Sequence, residues 1–333
     1  MAALPPPVPP TAVGIDLGGT KIAAALVGAD GTISSRASLP TPAAAGPEAV
    51  LDAIAELAAP LLAAAAAAGA PALGVGIGAA GVIDPATARV LSATDHLPGW
   101  AGTDLRAGLG ARLEIHPSAV HAVNDVHAHA LGEGWLGAAA GASSVLLAAF
   151  GTGIGGSLLL EGVPLFGARQ VGGHLGHVPS VEAAGLRCPC GGTGHLEAIA
   201  SGPSLHALYL RSGGDPEVPD ARAVFDRAAA GDRLALSAID TAATAAGRAL
   251  GGLANALDPA SVIVSGGLAD AGDSWWAPLR AAFAAELIGP LASLIPQPAA
   301  LGADAALAGA ASLLLAPAAS THLPASKEPT PCC

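Results

Sequence analysis

The same arrangement of an apolar run, a glycine turn and a second apolar run occurs once in each half of the chain. Residues 12–17 and 22–27 flank the first turn, and residues 144–150 and 154–160 flank the second. Glycine accepts the backbone angles of tight turns, so each arrangement predicts two antiparallel strands joined by a turn. This recurrence predicts an α/β fold with two related domains that face each other across a cleft, one glycine turn from each domain lining it.

The remaining apolar runs predict further helices and strands. Helices are identified by their length and by proline near the start or glycine at the end, and strands by short, continuous apolar runs. A loop region is expected between the strand 72–78 and the strand 119–123. The predicted helices are 47–69, 126–136, 220–230, 233–257, 274–287 and 303–315, and the other predicted strands are 32–38 and 261–265.

The ordered part lies between two tails that are rich in proline. Residues 1–11 and 317–333 form these tails and are predicted to be disordered. We expect an N-terminal α/β domain over residues 12–132, joined by a C-terminal helix at 303–316. A C-terminal α/β domain is expected over residues 133–302, and it contains a glycine-rich loop at 172–197.

The composition excludes several classes of protein. Hydrophobic residues make up 52% of the chain and charged residues 12%, which argues against an intrinsically disordered chain. The net charge of −12 argues against a nucleic-acid partner, which binds basic surfaces. The uncharged stretches 57–83 and 135–160 are interrupted by glycine, and we interpret them as a helix and buried strands rather than membrane spans. Without a basic N-terminal region and with only four cysteines, we expect a cytoplasmic protein.

The first glycine turn carries residue types that suit a bound phosphate. Glycine lets the backbone approach phosphate oxygens closely, and its N–H groups donate hydrogen bonds. The hydroxyl group of Thr20 adds a donor, and the carboxylate of Asp16 can hold hydrated Mg²⁺. A plain hairpin turn is the alternative interpretation. The candidate residues are Asp16, Gly18, Gly19, Thr20 and Lys21, and their spacing is not that of a Walker motif.

Two more glycine turns follow apolar strands. Residues 151–156 match a Gly-x-Gly-x-x-Gly string, but they join two strands rather than beginning a helix, so a second phosphate-binding turn is predicted instead of a dinucleotide site. The turn after strand 261–265 is a candidate for holding a nucleoside. Three glycine turns at strand ends are more specific than any one of them. The candidate residues are Gly151, Thr152, Gly153, Gly266 and Gly267.

Asn124 and Asp125 lie where the strand 119–123 ends and a helix begins, which is a usual place for a site in α/β folds. A plain helix N-cap is the alternative interpretation of Asp125. His127 and His129 invite a metal-binding interpretation. Positions i and i+2 point to different sides of a helix, so these two residues are predicted not to be metal ligands.

Two cysteines and two histidines lie within or beside the glycine-rich loop, where few apolar contacts would otherwise hold the backbone. Zinc prefers four tetrahedral nitrogen and sulfur ligands, which this set supplies. Two reduced thiols beside unrelated histidines are the alternative. The candidate ligands are His177, Cys188, Cys190 and His195.

These motifs together resemble the ROK family of sugar kinases and repressors, and the likeness covers residues 12–315. The resemblance implies two actin-like (ribonuclease H-like) α/β domains around a nucleotide and sugar cleft, and a homodimer. It implies phosphoryl transfer from ATP, with Mg²⁺, to the 6-hydroxyl group of a hexose or N-acetylhexosamine, with Asp125 as the base that accepts the hydroxyl proton. The repressor branch carries a helix-turn-helix domain ahead of this core, and only a few residues precede it here.

The resemblance also implies roles in the glycine-rich loop. The family normally has a third cysteine where this chain has His195, and imidazole is an equally competent ligand, so a structural Zn²⁺ with two cysteines and two histidines is expected. His177 would bind zinc through one ring nitrogen and contact sugar through the other, and Glu197 would bind sugar hydroxyl groups. The other expected sugar-binding residues are Gly81, Thr94, Asn124, Asp125 and His174.

The choice of sugar is predicted to depend on His174. Family members that act on glucose usually carry Glu at this position, which accepts hydrogen bonds from two adjacent hydroxyl groups, whereas His offers one donor and one acceptor. A 2-acetamido sugar is therefore expected, and residues 168–177 resemble N-acetylmannosamine kinases. Glucokinase is the alternative, favoured by residues 96–100. A non-catalytic sugar sensor is the alternative from another class, against which the presence of Asp16 and Asp125 argues.

Overall fold

The first sheet has five strands, and in the computed structural model, which describes residues 9–93 and 97–315, its order is β3-β2-β1-β4-β7. Strands β1 to β3 are antiparallel neighbours, whereas β4 and β7 run parallel to β1. The elements of this half are β1 (Thr11–Leu17), β2 (Lys21–Gly28), β3 (Ile33–Pro40), α1 (Pro47–Ala67), β4 (Val75–Ala79), β5 (Val82–Asp84), β6 (Arg89–Ser92), α2 (Leu105–Leu113), β7 (Val120–Asn124) and α3 (Asp125–Trp135).

The second sheet repeats the pattern of the first, with the order β10-β9-β8-β11-β12. Its hairpin β8–β9 is antiparallel, and β11 runs parallel to β8 in the same way that β4 runs parallel to β1. The elements of this half are β8 (Ser144–Phe150), β9 (Ile154–Leu160), β10 (Val163–Pro164), α4 (Glu197–Ala200), α5 (Gly202–Arg211), α6 (Ala221–Ala229), α7 (Arg233–Leu257), β11 (Ser261–Ser265), α8 (Asp273–Glu286) and β12 (Gln297–Pro298). The last helix, α9 (Asp304–Leu315), returns to the first sheet.

The two predicted hairpins are confirmed, and the other predicted helices and strands agree with the structure to within a few residues at each end. The expected loop between β4 and β7 is wrong in part, because it contains the β5–β6 hairpin and α2. Helix α2 carries two glycines in nine residues, which lowers its intrinsic helix propensity. It is stabilised instead by the side chain of Asp104, which caps its first turn, and by packing of Leu105 and Leu109 in the first core.

Helix α1 packs on the first sheet. Among the described residues it is the one helix that is long and apolar enough to cross a membrane, judged by length and composition. Its buried residues recur every three or four positions and belong for the most part to the core of the first sheet, which supports its interpretation as a core helix. These residues are Val50, Leu51, Ile54, Leu57, Ala58, Leu61 and Ala65.

Helix α9 crosses the first sheet and α3 in direct backbone contact. A Cβ atom built on any of four glycines would lie 1.7 to 2.0 Å from a carbonyl oxygen of the opposing helix. Only glycine permits so close an approach, and we therefore propose that α9 belongs with the N-terminal domain of residues 12–132. The four residues are Gly14 on β1, Gly76 on β4, Gly132 on α3 and Gly309 on α9.

Replacing Gly309 with Ala is expected to destabilise the protein by about 3 kcal/mol, because overpacking a tight contact forces backbone shifts. The added Cβ would lie 1.7 Å from the carbonyl oxygen of Ala128. Urea unfolding followed by circular dichroism measures this loss. The matched control is Gly252→Ala on α7, where a Cβ meets nothing within 4 Å and should stabilise the helix slightly. Equal stability of the two variants would contradict the close packing of α9.

Candidate active site

A cavity of about 370 Å³ lies between the two halves of the molecule. The first half contributes the carboxyl groups of Asp16 and Asp125, and the second half contributes Ser265 and Gly266. The cleft that the sequence predicts is therefore present, and it brings together five segments that are separated in the chain. The remaining lining residues are Val126, His129, Ala149, Ala269, Asp270, Pro298, Ala299, Gly302, Ala303 and Ala306.

The first glycine turn joins β1 to β2 and follows Asp16, which lines this cavity. It is a hydrogen-bonded turn, because the N–H group of Gly18 donates to the carbonyl oxygen of Lys21 at 3.0 Å. Thr41 holds it from outside by donating its hydroxyl group to the carbonyl oxygen of Gly18 at 2.7 Å. Gly18, Thr20 and Lys21 line a second cavity of about 500 Å³ that also reaches Asp16, whereas Gly19 lines neither cavity.

Asn124 caps α3, and Asp125 is the first residue of the helix. The Oδ1 atom of Asn124 accepts from the N–H group of Val126 at 3.0 Å, so the N-cap is Asn124 rather than Asp125. The side-chain amide of Asn124 donates to Asp125 Oδ1 at 2.7 Å and to the carbonyl oxygen of Gly81 at 3.0 Å. The carboxyl group of Asp125 is thus oriented by its neighbour and lines the cavity.

The environment of the two carboxyl groups favours a proton acceptor at Asp125. Burial, and after it the negative charge of Asp16, raises the pKa of Asp125 to about 6. Burial also raises the pKa of Asp16, which the positive charge of Lys21 partly opposes. A carboxylate with a pKa near 6 is ionised at neutral pH and binds a proton more strongly than an exposed aspartate.

The second glycine turn joins β8 to β9 and is held by Glu197. The N–H group of Ile154 donates to Glu197 Oε2 at 2.7 Å, and the N–H group of Gly151 donates to the carbonyl oxygen of Gly153 at 2.9 Å. Thr152 and Gly153 are exposed. One carboxylate oxygen of Glu197 is therefore already engaged by the turn, which is a role that the sequence does not indicate.

The third glycine turn follows β11 and packs on β8. Gly266 has a φ of +86°, and a Cβ atom on it would lie 2.3 Å from the carbonyl oxygen of Phe150. This position therefore requires glycine for both its conformation and its space. Gly267 is exposed, with open space around it, and it does not line the cavity.

The four predicted zinc ligands converge, and their ligand atoms all lie within 4.8 Å of one another. Cys188 Sγ lies 3.7 Å from His177 Nδ1, and Cys190 Sγ lies 3.2 Å from His195 Nδ1. Bonds of about 2.0 to 2.3 Å to a tetrahedral zinc ion place ligand atoms at separations of this size. The donor set and its spacing therefore fit zinc.

His174 lies beside this cluster on the loop after β10. Its ring is 6.1 Å from that of His177, which in turn lies 5.5 Å from the ring of His195. Partial burial, and then the proximity of His177, lowers the pKa of His174, while the carbonyl groups of Val171 and Gly172 oppose this. Thr94, a predicted sugar contact, lies outside the described residues.

The sequence prediction misses a polar face of α3. Asp125, His129 and Glu133 follow one another at intervals of four residues, which places them on one side of the helix. Glu133 is fully buried, and its carboxylate accepts from the N–H groups of Ala300 and Leu301 at 2.8 to 3.1 Å. The i, i+4, i+8 spacing was the available signal, because it continues from the candidate base along the helix.

The chain has the actin-like two-domain fold, in which two sheets, each beginning with a hairpin, lie around a polar cleft. Known proteins of this architecture that match the chain include ROK sugar kinases. The model of the ROK family matches residues 12–316. The chain belongs to the ROK family.

Named relatives of this chain include two kinds of sugar kinase. A glucokinase of Thermotoga maritima is 36% identical over 281 residues, which cover 80% of this chain and 85% of that protein. An N-acetylmannosamine kinase of Shigella boydii is 36% identical over 263 residues, which cover 78% of this chain and 84% of that protein. The crystal structure of a ROK family glucokinase from Streptomyces griseus in complex with glucose and AMPPNP is 32% identical, with a TM-score of 0.73, and covers 91% of this chain and 99% of that one.

Proposed function

We propose that this protein is an ATP-dependent sugar kinase that phosphorylates the 6-hydroxyl group of a hexose or N-acetylhexosamine. The observation that carries the proposal is the pair Asp16 and Asp125, which line one cavity between the two halves, beside a glycine turn. The relatives named glucokinase and N-acetylmannosamine kinase support the reaction class. The Streptomyces griseus relative supports a nucleotide of the ATP type, because its structure holds AMPPNP.

In the proposed reaction, Asp125 accepts the proton of the sugar hydroxyl group as its oxygen attacks the γ-phosphorus. A bond forms between that oxygen and phosphorus, and the bond to the oxygen that bridges to the β-phosphate breaks. Asn124 orients the base, and the phosphate oxygens are held by N–H groups of the first two glycine turns other than those of Gly18 and Gly151, which already bond within their turns. Mg²⁺, held by Asp16 through its hydration shell, would neutralise charge on the phosphates.

A structural zinc ion is part of the proposal. All four ligand positions come from protein side chains, so no open position remains for a reacting group. The ion would hold the loop that carries His174, since His177 lies between the two. We therefore propose that zinc fixes the conformation of the loop on the sugar-binding side and takes no part in the chemical step.

The proposed sugar is N-acetylmannosamine, and His174 is the residue on which this choice rests. Its ring offers one donor and one acceptor, which suits an acetamido group better than two adjacent hydroxyl groups. Glucose is the second candidate, because the similarity to a glucokinase relative covers nearly the whole length of that relative. A glucokinase of Streptomyces coelicolor is 34% identical over 324 residues, 98% of that protein.

A coupled assay of ADP release over a panel of sugars tests this function. We expect the highest kcat/KM with N-acetylmannosamine and weaker turnover of glucose, mannose and N-acetylglucosamine. Replacing His174 with Glu should shift the preference towards glucose. Equal or greater kcat/KM for glucose in the parent protein would reject N-acetylmannosamine as the substrate. Binding of sugars without ADP release would reject the kinase and favour a sensor.

The pH dependence of turnover follows from the raised pKa of Asp125. A base must be ionised, so kcat/KM for the sugar should fall below pH 6, by about tenfold per pH unit, and level off above pH 7. The measurement is initial rate from pH 5 to 8.5 at constant ionic strength. Circular dichroism over the same range controls for unfolding. A profile that stays flat down to pH 5 would contradict a base with this pKa.

A further inference from the structure

A histidine of α3 and a serine of β11 form a hydrogen bond at the wall of the 370 Å³ cavity. His129 follows Asp125 by one helical turn, and its Nε2 atom lies 2.8 Å from Ser265 Oγ. Both residues line the cavity together with Asp16 and Asp125. This pair therefore links the helix of the candidate base to the strand that leads into the third glycine turn.

Packing and hydrogen bonds of neighbouring residues anchor the backbone on both sides of the pair. Ser265 is buried at the end of β11, and the following Gly266 packs against the backbone of Phe150. On the other side, the Glu133 carboxylate of α3 accepts hydrogen bonds from Ala300 and Leu301, next to the cavity wall. The backbone segments that carry the two residues are thus anchored, and the mutual hydrogen bond orients the two side chains at the cavity wall.

The pair has one hydrogen left to donate. Burial lowers the pKa of His129, which the charge of Glu133 partly opposes, and the ring is neutral at pH 7. A neutral imidazole and a hydroxyl group together carry two polar hydrogens, and their mutual bond uses one. Within residues 9–93 and 97–315, no other hydrogen bond is found for either side chain. The second hydrogen is therefore free for a ligand.

The charge of the cavity indicates which ligand would use that hydrogen. The ionisable side chains of its lining, apart from His129, are the carboxyl groups of Asp16, Asp125 and Asp270, so the protein itself can offer a bound anion here only neutral donors, beside the Mg²⁺ proposed above. Along the axis of α3, His129 lies about 6 Å beyond Asp125, at 1.5 Å per residue. Ser265 directly precedes Gly266 of the third glycine turn, which also lines the cavity, so the pair lies one helical turn from the candidate base on the side of the turn predicted to hold the nucleoside.

We propose that the His129–Ser265 pair donates a hydrogen bond to a non-transferred phosphate oxygen of the bound nucleotide and thereby sets nucleotide affinity. This assignment rests on the proposed function, which places ATP in this cavity. It makes the two side chains positioning residues for the phosphoryl donor, with no contact to the sugar.

Isothermal titration calorimetry of the full chain with AMPPNP, ADP and adenosine tests the assignment. His129→Ala and Ser265→Ala are each expected to weaken AMPPNP and ADP binding about tenfold, while adenosine affinity and the KM for sugar stay unchanged. The double variant should bind no more weakly than either single variant, since each substitution breaks the same hydrogen-bonded pair. His129→Gln should restore most of the affinity, because its amide group can reach Ser265 and still donate.

The same helix offers a matched control. His127 Nδ1 bonds Ser157 Oγ at 2.8 Å, also between α3 and a strand of the second sheet, but neither residue lines the cavity. Ser157→Ala should therefore leave nucleotide affinity unchanged even where it lowers stability.

Parental affinity for AMPPNP in both His129→Ala and Ser265→Ala would overturn the assignment, as would an equal loss for adenosine. Failure of the proposed function would instead be seen in the parent protein, as absence of nucleotide binding or of sugar-dependent ADP release.

Discussion

Replacing Asp125 with Asn is expected to lower kcat by about 10²- to 10⁴-fold while sugar affinity changes little, because the variant loses only the proton acceptor. The Asn side chain keeps an oxygen that can accept from the backbone of Val126 and from Asn124, so the start of α3 is preserved. The measurement is ADP release at saturating sugar and ATP, together with sugar binding by calorimetry.

A measurement of folding stability distinguishes a loss of catalysis in Asp125→Asn from a loss of folded protein. The pKa of Asp125 is raised to about 6, so the ionised carboxylate costs folding free energy above that pH, by up to about 3 kcal/mol. The uncharged Asn side chain removes this cost, and the variant should be at least as stable as the parent at pH 8 in urea unfolding. Exposed Asp226→Asn is the control and should alter neither activity nor stability. Turnover above about a tenth of the parent value in Asp125→Asn would remove Asp125 as the base.

Removing a zinc ligand is expected to have the second largest effect. The freshly purified protein should contain about one zinc per chain, and His195→Ala should lose it, because only three ligands remain. His195→Cys should retain zinc, since cysteine supplies the thiolate that the family normally has there. His116→Ala, an exposed histidine outside the cluster, is the control that keeps zinc.

Loss of zinc should also be measurable in sugar binding. His177 would no longer be held by the ion, and its ring lies 6.1 Å from that of His174, so the KM for sugar should rise more than the KM for ATP. Metal content is measured by plasma emission spectrometry, and the KM values by the coupled assay. Parent protein that carries no zinc when prepared without chelator would contradict the four-ligand site.

Much of the fold could be predicted from the chain because its strands are continuous apolar runs that end in glycine. All five residues of β4 and of β11 are buried, as expected of central parallel strands. Helix α5 was missed because it begins with Gly202 and Pro203, which indicate a turn when read alone. Its formation depends on Ser201, whose side chain caps the first turn.

The sequence predicts the parts of the candidate site that are close in the chain better than the parts that depend on local geometry. The four ligands at 177 to 195 are close in the chain, and their convergence follows from a short loop. The identity of the N-cap was decided by local geometry, since Asn124 and Asp125 are both good capping residues. Only the structure shows that Asn124 fills that role and leaves the carboxyl group of Asp125 on the cavity.

The sequence by itself determined the residue types of this protein's candidate site: three glycine turns at strand ends, a carboxylate at a helix start, and a cluster of cysteines and histidines. The tertiary structure alone decided which of them meet. The charge of Asp16 helps to raise the pKa of Asp125, 109 residues away in the chain, and His129 bonds Ser265, 136 residues away. Such contacts depend on how α3 and α9 pack between two sheets, and that packing is set by glycine-mediated backbone contacts distant in the chain.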